Sequence, residues 1–217
     1  MTRAEIVEKF RAENPDITTK VISNALLYAW AKQGDKEICA MTRCITDQDG
    51  TTITTAEDDT HYDLTVQITK FYDIDEFPGG GVTYNDDRLK KTTIAELDEL
   101  HPGWRDRESG TPREYYRRGG WLYLDRAIDS NAYDLKVYAV LISDDFDDDA
   151  KTPYNQFSYL SPFHDGINKY LQWRAKAKVG KQQEAQIAKQ EFTDYAAWMK
   201  SMITGGKTSA IRLVPKI

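Results

Sequence analysis

The chain has 217 residues, of which 40% are hydrophobic and 29% charged, with a mean hydropathy of −0.65. This composition is typical of a globular protein that buries its core in one domain or in two packed ones. No apolar run reaches the roughly 18 residues that a membrane helix needs, and the first ten residues lack the apolar core of a signal peptide. The sequence therefore predicts a protein without membrane contact that folds in a cytoplasm-like compartment.

Charge is unevenly distributed along the chain. Residues 1–161 carry 19 Lys and Arg against 31 Asp and Glu, a net charge of −12, whereas residues 162–217 carry 10 against 4, a net charge of +6. An acidic protein lacks the excess of cations that general nucleic-acid binding requires. The asymmetry is compatible with head-to-tail packing of identical subunits, and also with a solvated surface whose asymmetry is accidental.

Residues 1–45 are predicted to form the N-terminal helices of a helical frame. A capping-box pattern, Thr2-x-x-Glu5, begins a helix that ends near residue 13. A second helix begins at Thr18 or Thr19, and Gly34-Asp35 separates it from a third helix over residues 36–44.

Residues 46–156 are predicted to form an inserted antiparallel β domain with one embedded helix. The clearest strand signal is the alternation of Tyr62, Leu64, Val66 and Ile68 with polar residues, which is the period of a half-buried strand. Further elements are predicted as strands at 51–55, 82–84, 115–117, 121–124 and 133–142, and as a short helix capped by Thr93-x-x-Glu96.

Residues 157–203 are predicted to form a C-terminal helical hairpin. Ser161-Pro162 is a typical helix start, and the second helix runs from about residue 182 to residue 203. The inward residues of the second helix follow the spacing of a packed seam and are Ala185, Ala188, Phe192, Tyr195, Met199 and Met202. Gly205-Gly206 ends this helix, and residues 204–217 are predicted to be an extended docking tail.

The predicted fold class is α+β. Neither the N-terminal helices nor the C-terminal hairpin can bury its apolar stripe alone, so we expect them to pack together as one frame. The antiparallel β domain is then an insertion within that frame, and the extended tail follows it.

The candidate motifs for catalysis, cofactors and metals fail their positional tests. Gly205-Gly-Lys-Thr208 lacks the earlier glycine, the preceding strand and the following helix of a P-loop. The aspartate run 144–149 fails as a calcium loop because Ala150 and Gln156 occupy the positions of the required Gly and Glu. His164-Asp165, near a helix start, is more often structural than an acid/base pair. We therefore predict that the protein is not an enzyme and takes no cofactor or metal.

The two cysteines carry little information in the sequence. Cys39 and Cys44 lie five residues apart, too far along a helix to share a face, and no histidine is near them. The pattern favours two core thiols in a reducing compartment over zinc or redox chemistry.

Arginines alternate with aromatic residues in segment 104–126. This mixture is typical of protein interfaces, in which Arg, Trp and Tyr are enriched. Binding of single-stranded nucleic acid is the alternative, although the acidic residues of the segment leave a net charge of only +2. The predicted subunit-interface residues are Trp104, Arg105, Arg107, Arg113, Tyr115, Arg117 and Arg118.

An ordered series of segments extends through most of residues 17–203. In chain order these are ALLYAWAKQGDKEICAMTR, YDLTVQITKFYDID, TTIAELDELHPGWRDRESGTPREYY, GGWLYLDRAI, YDLKVYAVLI and FSYLSPFHDGINKYLQWRAKAK. The order and pattern resemble the head-to-tail adaptor (head-tail connector) family of tailed bacteriophages. The first core strand of that family commonly ends in Leu-Pro and an acidic residue, whereas Leu64 is followed here by Thr65 and Val66, so we expect that strand to be extended.

The resemblance implies a structural virion protein located in the neck and assembled in the host cytoplasm. Identical subunits, about twelve, would form a ring beneath the portal protein that connects the capsid vertex to the tail. Tail or nozzle proteins would be further partners, and double-stranded DNA would pass non-specifically through the channel during ejection. The alternatives are another neck or tail ring protein, such as a tail terminator or completion protein, and a metal-dependent hydrolase or nuclease that uses the aspartate run.

The resemblance also implies that the C-terminal tail reaches the portal. A basic, glycine-hinged and β-prone tail is suited to docking by strand addition, and a merely disordered terminus is the alternative. The predicted docking residues are Lys207, Ile211, Arg212, Leu213 and Val214.

Overall fold

The structure is a computed structural model that describes residues 1–56, 59–76, 80–128, 134–143 and 146–209. For residues 106 and 205–209 it describes the backbone alone. The α+β prediction is confirmed. The chain divides into two compact units, which are Met1–Ile45 with Ile142–Ile217 (the helical unit) and Thr46–Leu141 (the sheet unit). The first boundary coincides with the prediction, and the second lies at residue 141, where the sequence placed it at 156.

Helices and strands alternate in blocks along the described ranges. The α-helices are α1 (Arg3–Glu13), α2 (Asn24–Thr42), α3 (Leu64–Gln67), α4 (Ile94–Leu100), α5 (Asp165–Lys178) and α6 (Gln182–Ser209). The strands are β1 (Thr51–Ile53), β2 (His61–Asp63), β3 (Phe71–Ile74), β4 (Gly81–Tyr84), β5 (Asp87–Arg88), β6 (Lys90–Lys91), β7 (Glu114–Arg118), β8 (Trp121–Leu124) and β9 (Leu135–Leu141). Short 3-10 helices cover Trp104–Asp106, Tyr154–Gln156 and Ser158–Phe163.

The helical unit begins with the predicted capping box. The backbone N–H of Glu5 donates to the Thr2 hydroxyl at 3.3 Å, and the backbone N–H of Thr2 donates to the Glu5 carboxylate at 2.8 Å. These bonds satisfy donors that the first turn of a helix leaves without partners. The buried face of α1 is formed by Ile6, Val7 and Phe10.

The predicted break at Gly34-Asp35 is wrong, because α2 runs through both residues as a single helix. Its N-cap is also not Thr18 or Thr19 but Ser23, whose hydroxyl accepts from the backbone N–H of Leu26 at 3.3 Å. A Cβ at Gly34 would lie 2.7 Å from Cδ1 of Tyr170, so the glycine permits α5 to approach α2 closely. The glycine thus serves packing within the helix.

The helix α5 begins later than predicted. Ser161 and Pro162 belong to the preceding 3-10 helix, and α5 starts at Asp165. Ile167, Tyr170 and Leu171 of α5 are fully buried. Pro162 therefore lies in the 3-10 turn that leads into α5, and not in the first turn of the α-helix.

The seam of α6 is largely as predicted. Ala185, Ala188, Phe192 and Met199 are buried, and Tyr195 is half-buried. Met202 is 55% exposed, and Ala196 is buried although the heptad spacing omitted it. A straight helix has 3.6 residues per turn, so a strict 3-4 alternation drifts away from the buried face over this length.

The predicted end of α6 at Gly205-Gly206 is wrong, since the helix continues to Ser209. Residues 204–209 are therefore helical where an extended tail was predicted. Lys207 lies in this helix, while Ile211, Arg212, Leu213 and Val214 lie outside the described residues.

The sheet unit contains two sheets. One has the order β1-β9-β4-β5 with β3 also paired to β9, and the other has the order β2-β8-β7-β6. The pairing of β6 with β7 is parallel, which corrects the prediction of a wholly antiparallel domain. One apolar core draws on both sheets, including Tyr62, Leu64, Val82, Tyr115, Leu122, Leu124, Leu135 and Val137.

The long strand predicted over residues 62–68 is wrong. After Asp63 the chain forms the single helical turn α3, in which Leu64 is buried and Val66 is 81% exposed. The Asp63 carboxylate caps this turn, accepting from the backbone N–H of Thr65 at 2.9 Å and from its hydroxyl at 2.6 Å. Local capping by aspartate therefore overrides the β propensity of the alternating residues.

Candidate protein interaction surface

The outer face of the β2-β8-β7 sheet carries a continuous series of aromatic side chains. Strand alternation places Tyr116 of β7 and Tyr123 of β8 directly opposite each other, and His61 of β2 opposite Tyr123. Trp121 lies two residues before Tyr123, on the same face. Trp104 joins the series from the 3-10 helix that follows α4. We call Trp104, Tyr116, Tyr123, His61 and Trp121 the aromatic row.

Each ring of the aromatic row contacts the next. Trp104 meets Tyr116 edge-on with 5.8 Å between ring centroids, and Tyr116 stacks on Tyr123 at 4.6 Å. Tyr123 stacks on His61 at 5.8 Å, and His61 lies 5.5 Å from Trp121. These are the separations at which aromatic pairs stabilise each other beyond their buried area.

Exposure increases along the aromatic row. Trp104 and Tyr116 are buried against Leu97 of α4, Tyr123 is half-buried, and Trp121 is 40% exposed at the far end. The row is therefore anchored in the sheet unit at one end and presents an indole and an imidazole to solvent at the other. A rigid aromatic group of this kind is a typical anchor for a protein partner.

An acidic side chain fixes the buried end of the aromatic row. The Asp98 carboxylate accepts from the indole N–H of Trp104 at 2.8 Å and pairs with Arg105 at 2.7 Å. The guanidinium of Arg105 also lies over the Trp104 ring, 4.5 Å from its centroid. The hydrogen bonds from Arg105 and Trp104 lower the pKa of Asp98, so the carboxylate stays charged at neutral pH.

Most of the arginines in segment 104–126 have acidic partners within the chain. Arg107 and Arg126 lie 3.8 and 3.7 Å from the buried carboxylate of Asp125. Arg117 forms an ion pair with Asp73. Internal pairing of this kind leaves fewer cations for phosphate groups, which counts against the nucleic-acid alternative.

Two arginines of the segment differ from the others. Arg113 and Arg118 are exposed, and within the part of the chain that the structure describes neither forms an ion pair. Arg118 stands directly opposite Trp121 in the β7–β8 register. Arg118 thus places a guanidinium that has no ion-pair partner among the described residues beside the exposed end of the aromatic row.

The predicted interface residues divide into two groups. Trp104 and Tyr115 are buried inside the sheet unit, so the prediction that they contact a partner is corrected to a role in packing. The arginines lie at or near the surface of the unit. Trp121 and Tyr123 lie within the segment 104–126 whose Arg and aromatic residues predict an interface, although the residues named for that interface do not include them. His61 lies outside the segment, and its alternation with Tyr62 in β2 was the available signal.

A small groove in the same unit has a volume of about 230 Å³ and is lined by Asp73, Glu76, Lys91, Tyr115 and Arg117. Both of its cationic groups are paired, Arg117 with Asp73 and Lys91 with Glu76. The groove therefore offers ion pairs that are already formed, and we assign it a structural role.

The helical unit contains a fully buried carboxylate, Asp35. It accepts from the backbone N–H of Tyr154 at 2.8 Å and from the Ser143 hydroxyl. Tyr154, Asn155 and Gln156 all have positive φ angles, between 51° and 63°. A left-handed turn of residues other than glycine is costly, and the bond to Asp35 helps to hold it in place.

The residues of the predicted metal or acid/base sites have structural partners. Asp147 pairs with Lys151 at 3.0 Å and Asp149 with Arg3 at 2.7 Å, while Asp144 and Asp145 lie outside the described residues. Within the described ranges no group of three or more His, Cys, Asp or Glu is placed to hold a metal ion.

His164 and Asp165 also turn to different partners. Nδ1 of His164 lies 2.6 Å from the Met1 ammonium, and Asp165 accepts from Lys9 at 2.6 Å. The side chains of His164 and Asp165 are therefore each engaged with a different partner.

Two further findings do not concern a particular site. Of the helices in the described ranges, none combines the length and the apolar character needed to cross a membrane. Neither the models of known protein families nor the curated proteins contain a match to this chain.

Proposed function

We propose that the protein is a non-enzymatic structural subunit that assembles through protein contacts, as the head-to-tail adaptor ring of a tailed bacteriophage. The observation that carries this proposal is the exposed end of the aromatic row, where Trp121 stands directly opposite the exposed Arg118. Tryptophan and arginine dominate the energetics of protein interfaces. The order of sequence segments that resembles the adaptor family supports the more specific role.

The distribution of charge between the units supports association of identical copies. The helical unit carries 18 Lys and Arg against 15 Asp and Glu, a net charge of +3, and the sheet unit carries 11 against 20, a net charge of −9. Opposite charges on two surfaces of one chain favour heterologous contacts, which close into rings when the rotation between neighbours permits. A predominantly acidic subunit would also let DNA slide through a central channel without sticking.

The partners and location follow from the proposed role. The ring would dock beneath the portal protein in the virion neck and contact tail or nozzle proteins on its other side, with double-stranded DNA passing through. Another neck or tail ring protein is the alternative within the same class. Binding to a portal protein, as opposed to the end of a tail tube, distinguishes these two roles.

The proposal is tested by the oligomeric state of the purified chain with and without a phage portal protein. We expect rings, or collars on the portal, by light scattering and negative-stain electron microscopy. Trp121→Ala and Arg118→Ala should weaken assembly by about tenfold or more, the scale of an interface anchor. A chain that stays monomeric and inert toward the portal would overturn the proposal.

A matched control separates interface loss from general surface effects. Tyr72 is also an aromatic residue of the sheet unit that is 40% exposed, but it lies outside the aromatic row. Tyr72→Ala should assemble like the unmodified chain. If Tyr72→Ala and Trp121→Ala weakened assembly equally, the aromatic row would not be the interface.

A further inference from the structure

The two cysteines of the helical unit meet, contrary to the prediction from their spacing. Their Sγ atoms lie 3.7 Å apart, and both residues are buried. Residues five apart do not share a face of a continuous helix, but α2 ends at Thr42, so Cys44 lies beyond the helix. Arg43 follows in a left-handed conformation, with φ 56° and ψ 39°, and turns the chain so that Cys44 returns alongside Cys39.

Hydrogen bonds on both sides hold this turn. The backbone N–H of Arg43 donates to the carbonyl of Cys39 at 2.8 Å, which closes the end of α2. The Tyr159 hydroxyl donates to the carbonyl of Cys44 at 2.9 Å. The sulfur atoms are therefore kept close together by backbone contacts that do not involve the thiols themselves.

The two thiols differ in their acidity. Burial raises the pKa of Cys39 well above its ordinary value, whereas hydrogen bonds from Cys39 and Thr42 lower the pKa of Cys44. Cys44 is thus the first of the two to lose its proton, with Cys39 as the adjacent hydrogen-bond donor. A thiolate with a second thiol in contact is the pair of groups that oxidation to a disulfide requires.

We propose that Cys39 and Cys44 form an oxidation site that closes to an intramolecular disulfide, with a peroxide as the oxidant. A disulfide needs a sulfur–sulfur distance of about 2.05 Å, so the two Sγ atoms, 3.7 Å apart, must approach by roughly 1.7 Å. The disulfide would join Cys39, in the last turn of α2, to Cys44, which lies two residues before the sheet unit begins at Thr46.

The reaction proceeds in two balanced steps. The Cys44 thiolate attacks one oxygen of hydrogen peroxide, the O–O bond breaks, and a sulfenic acid forms while the other oxygen leaves as hydroxide and takes up a proton as water. The Cys39 sulfur then attacks the Cys44 sulfur, the S–O bond breaks, and the departing hydroxide takes the Cys39 proton as water. Two thiols lose two electrons in total, and one peroxide is reduced to two molecules of water.

The experiment uses the reduced full-length chain, treated with hydrogen peroxide under native conditions and then with an alkylating agent. Trypsin cleaves after Lys36, Arg43 and Lys70, so the two cysteines fall in separate peptides, 37–43 and 44–70. We expect the treated protein to yield these two peptides joined, and dithiothreitol to separate them. Circular dichroism of the same sample should retain the helical signal, which shows that the folded chain reacted.

Two variants serve as controls, and three results would overturn the proposal. Cys39→Ser and Cys44→Ser should each abolish the joined peptide, and Cys39→Ser should accumulate sulfenic acid at Cys44. Recovery of both peptides alkylated after peroxide treatment would show that the pair does not react. Disulfide-linked dimers, or a joined peptide that appears only when the helical signal is lost, would equally contradict an oxidation site in the folded chain.

Discussion

Replacing Gly34 with alanine should destabilise the helical unit, although alanine is the better helix former. The new Cβ would lie 2.7 Å from Cδ1 and 2.8 Å from Cγ of Tyr170, whereas carbon atoms in contact are normally about 3.5–4.0 Å apart. The Tyr170 ring is buried, meets Phe192 at 5.2 Å, and its hydroxyl donates to Glu37 at 3.0 Å, so it has little freedom to move.

The change in stability expected for Gly34→Ala is the difference between two opposing effects. Overpacking of a core costs about 1–3 kcal/mol, and the higher helix propensity of alanine returns about 1 kcal/mol. We expect a net loss of up to about 2 kcal/mol in the free energy of unfolding, measured by urea denaturation with the circular dichroism signal at 222 nm.

A double-mutant cycle tests this reasoning. In a Tyr170→Ala background the clash is gone, so Gly34→Ala should be neutral or stabilising by up to about 1 kcal/mol. Gln33→Ala, at the exposed neighbouring position, should change stability by less than about 0.5 kcal/mol. The close approach of α5 to α2 is refuted if Gly34→Ala has the same effect in both backgrounds.

Three further predictions concern stability and can be measured by the same denaturation assay. Leu64→Ala should lower the free energy of unfolding by about 2–5 kcal/mol because Leu64 is fully buried, while Val66→Ala should be nearly neutral. A larger loss for Val66→Ala than for Leu64→Ala would contradict the helical turn α3. Phe192→Ala should cost about 3–5 kcal/mol and Met202→Ala little, since only Phe192 is buried; comparable losses would contradict the register of α6. Burial and the Met1 ammonium lower the pKa of His164 to about 4. Because the pKa of His164 in the unfolded chain is near 6.5, the free energy of unfolding should fall as the pH drops from 6.5 toward 4. His164→Gln should remove this part of the pH dependence. Identical pH profiles for the variant and the unmodified protein would contradict the prediction.

Local signals in the sequence were sufficient for much of the fold. The two capping boxes, at Thr2 and Thr93, both form with the side chains in the predicted reciprocal arrangement. The strands β7 and β8 pair across the turn at Gly119-Gly120, close to the ranges predicted for them. In each case the decisive interactions join residues that are close in sequence, so the pattern alone determines them.

The errors have a common physical origin in contacts between distant residues. Gly34 resembles a helix break until Tyr170, 136 positions later, occupies the space that a side chain would fill. The same applies to the cysteines, whose proximity depends on one left-handed residue at the end of α2. The aromatic row was recognised only in part, because its members come from three separate segments that the sheet brings together.

The division of the helical unit into two stretches of sequence has a consequence for how the chain folds during synthesis. The helix α2 is complete at Thr42, but α5, which covers its buried face, begins only at Asp165. At translation rates of about 5–20 residues per second, the intervening chain takes roughly 6–25 s to emerge from the ribosome. During this interval the sheet unit, whose residues are contiguous, is able to fold first, while α1 and α2 leave their apolar faces exposed to solvent. The apolar faces of the two N-terminal helices therefore wait for partners that are synthesised more than a hundred residues later.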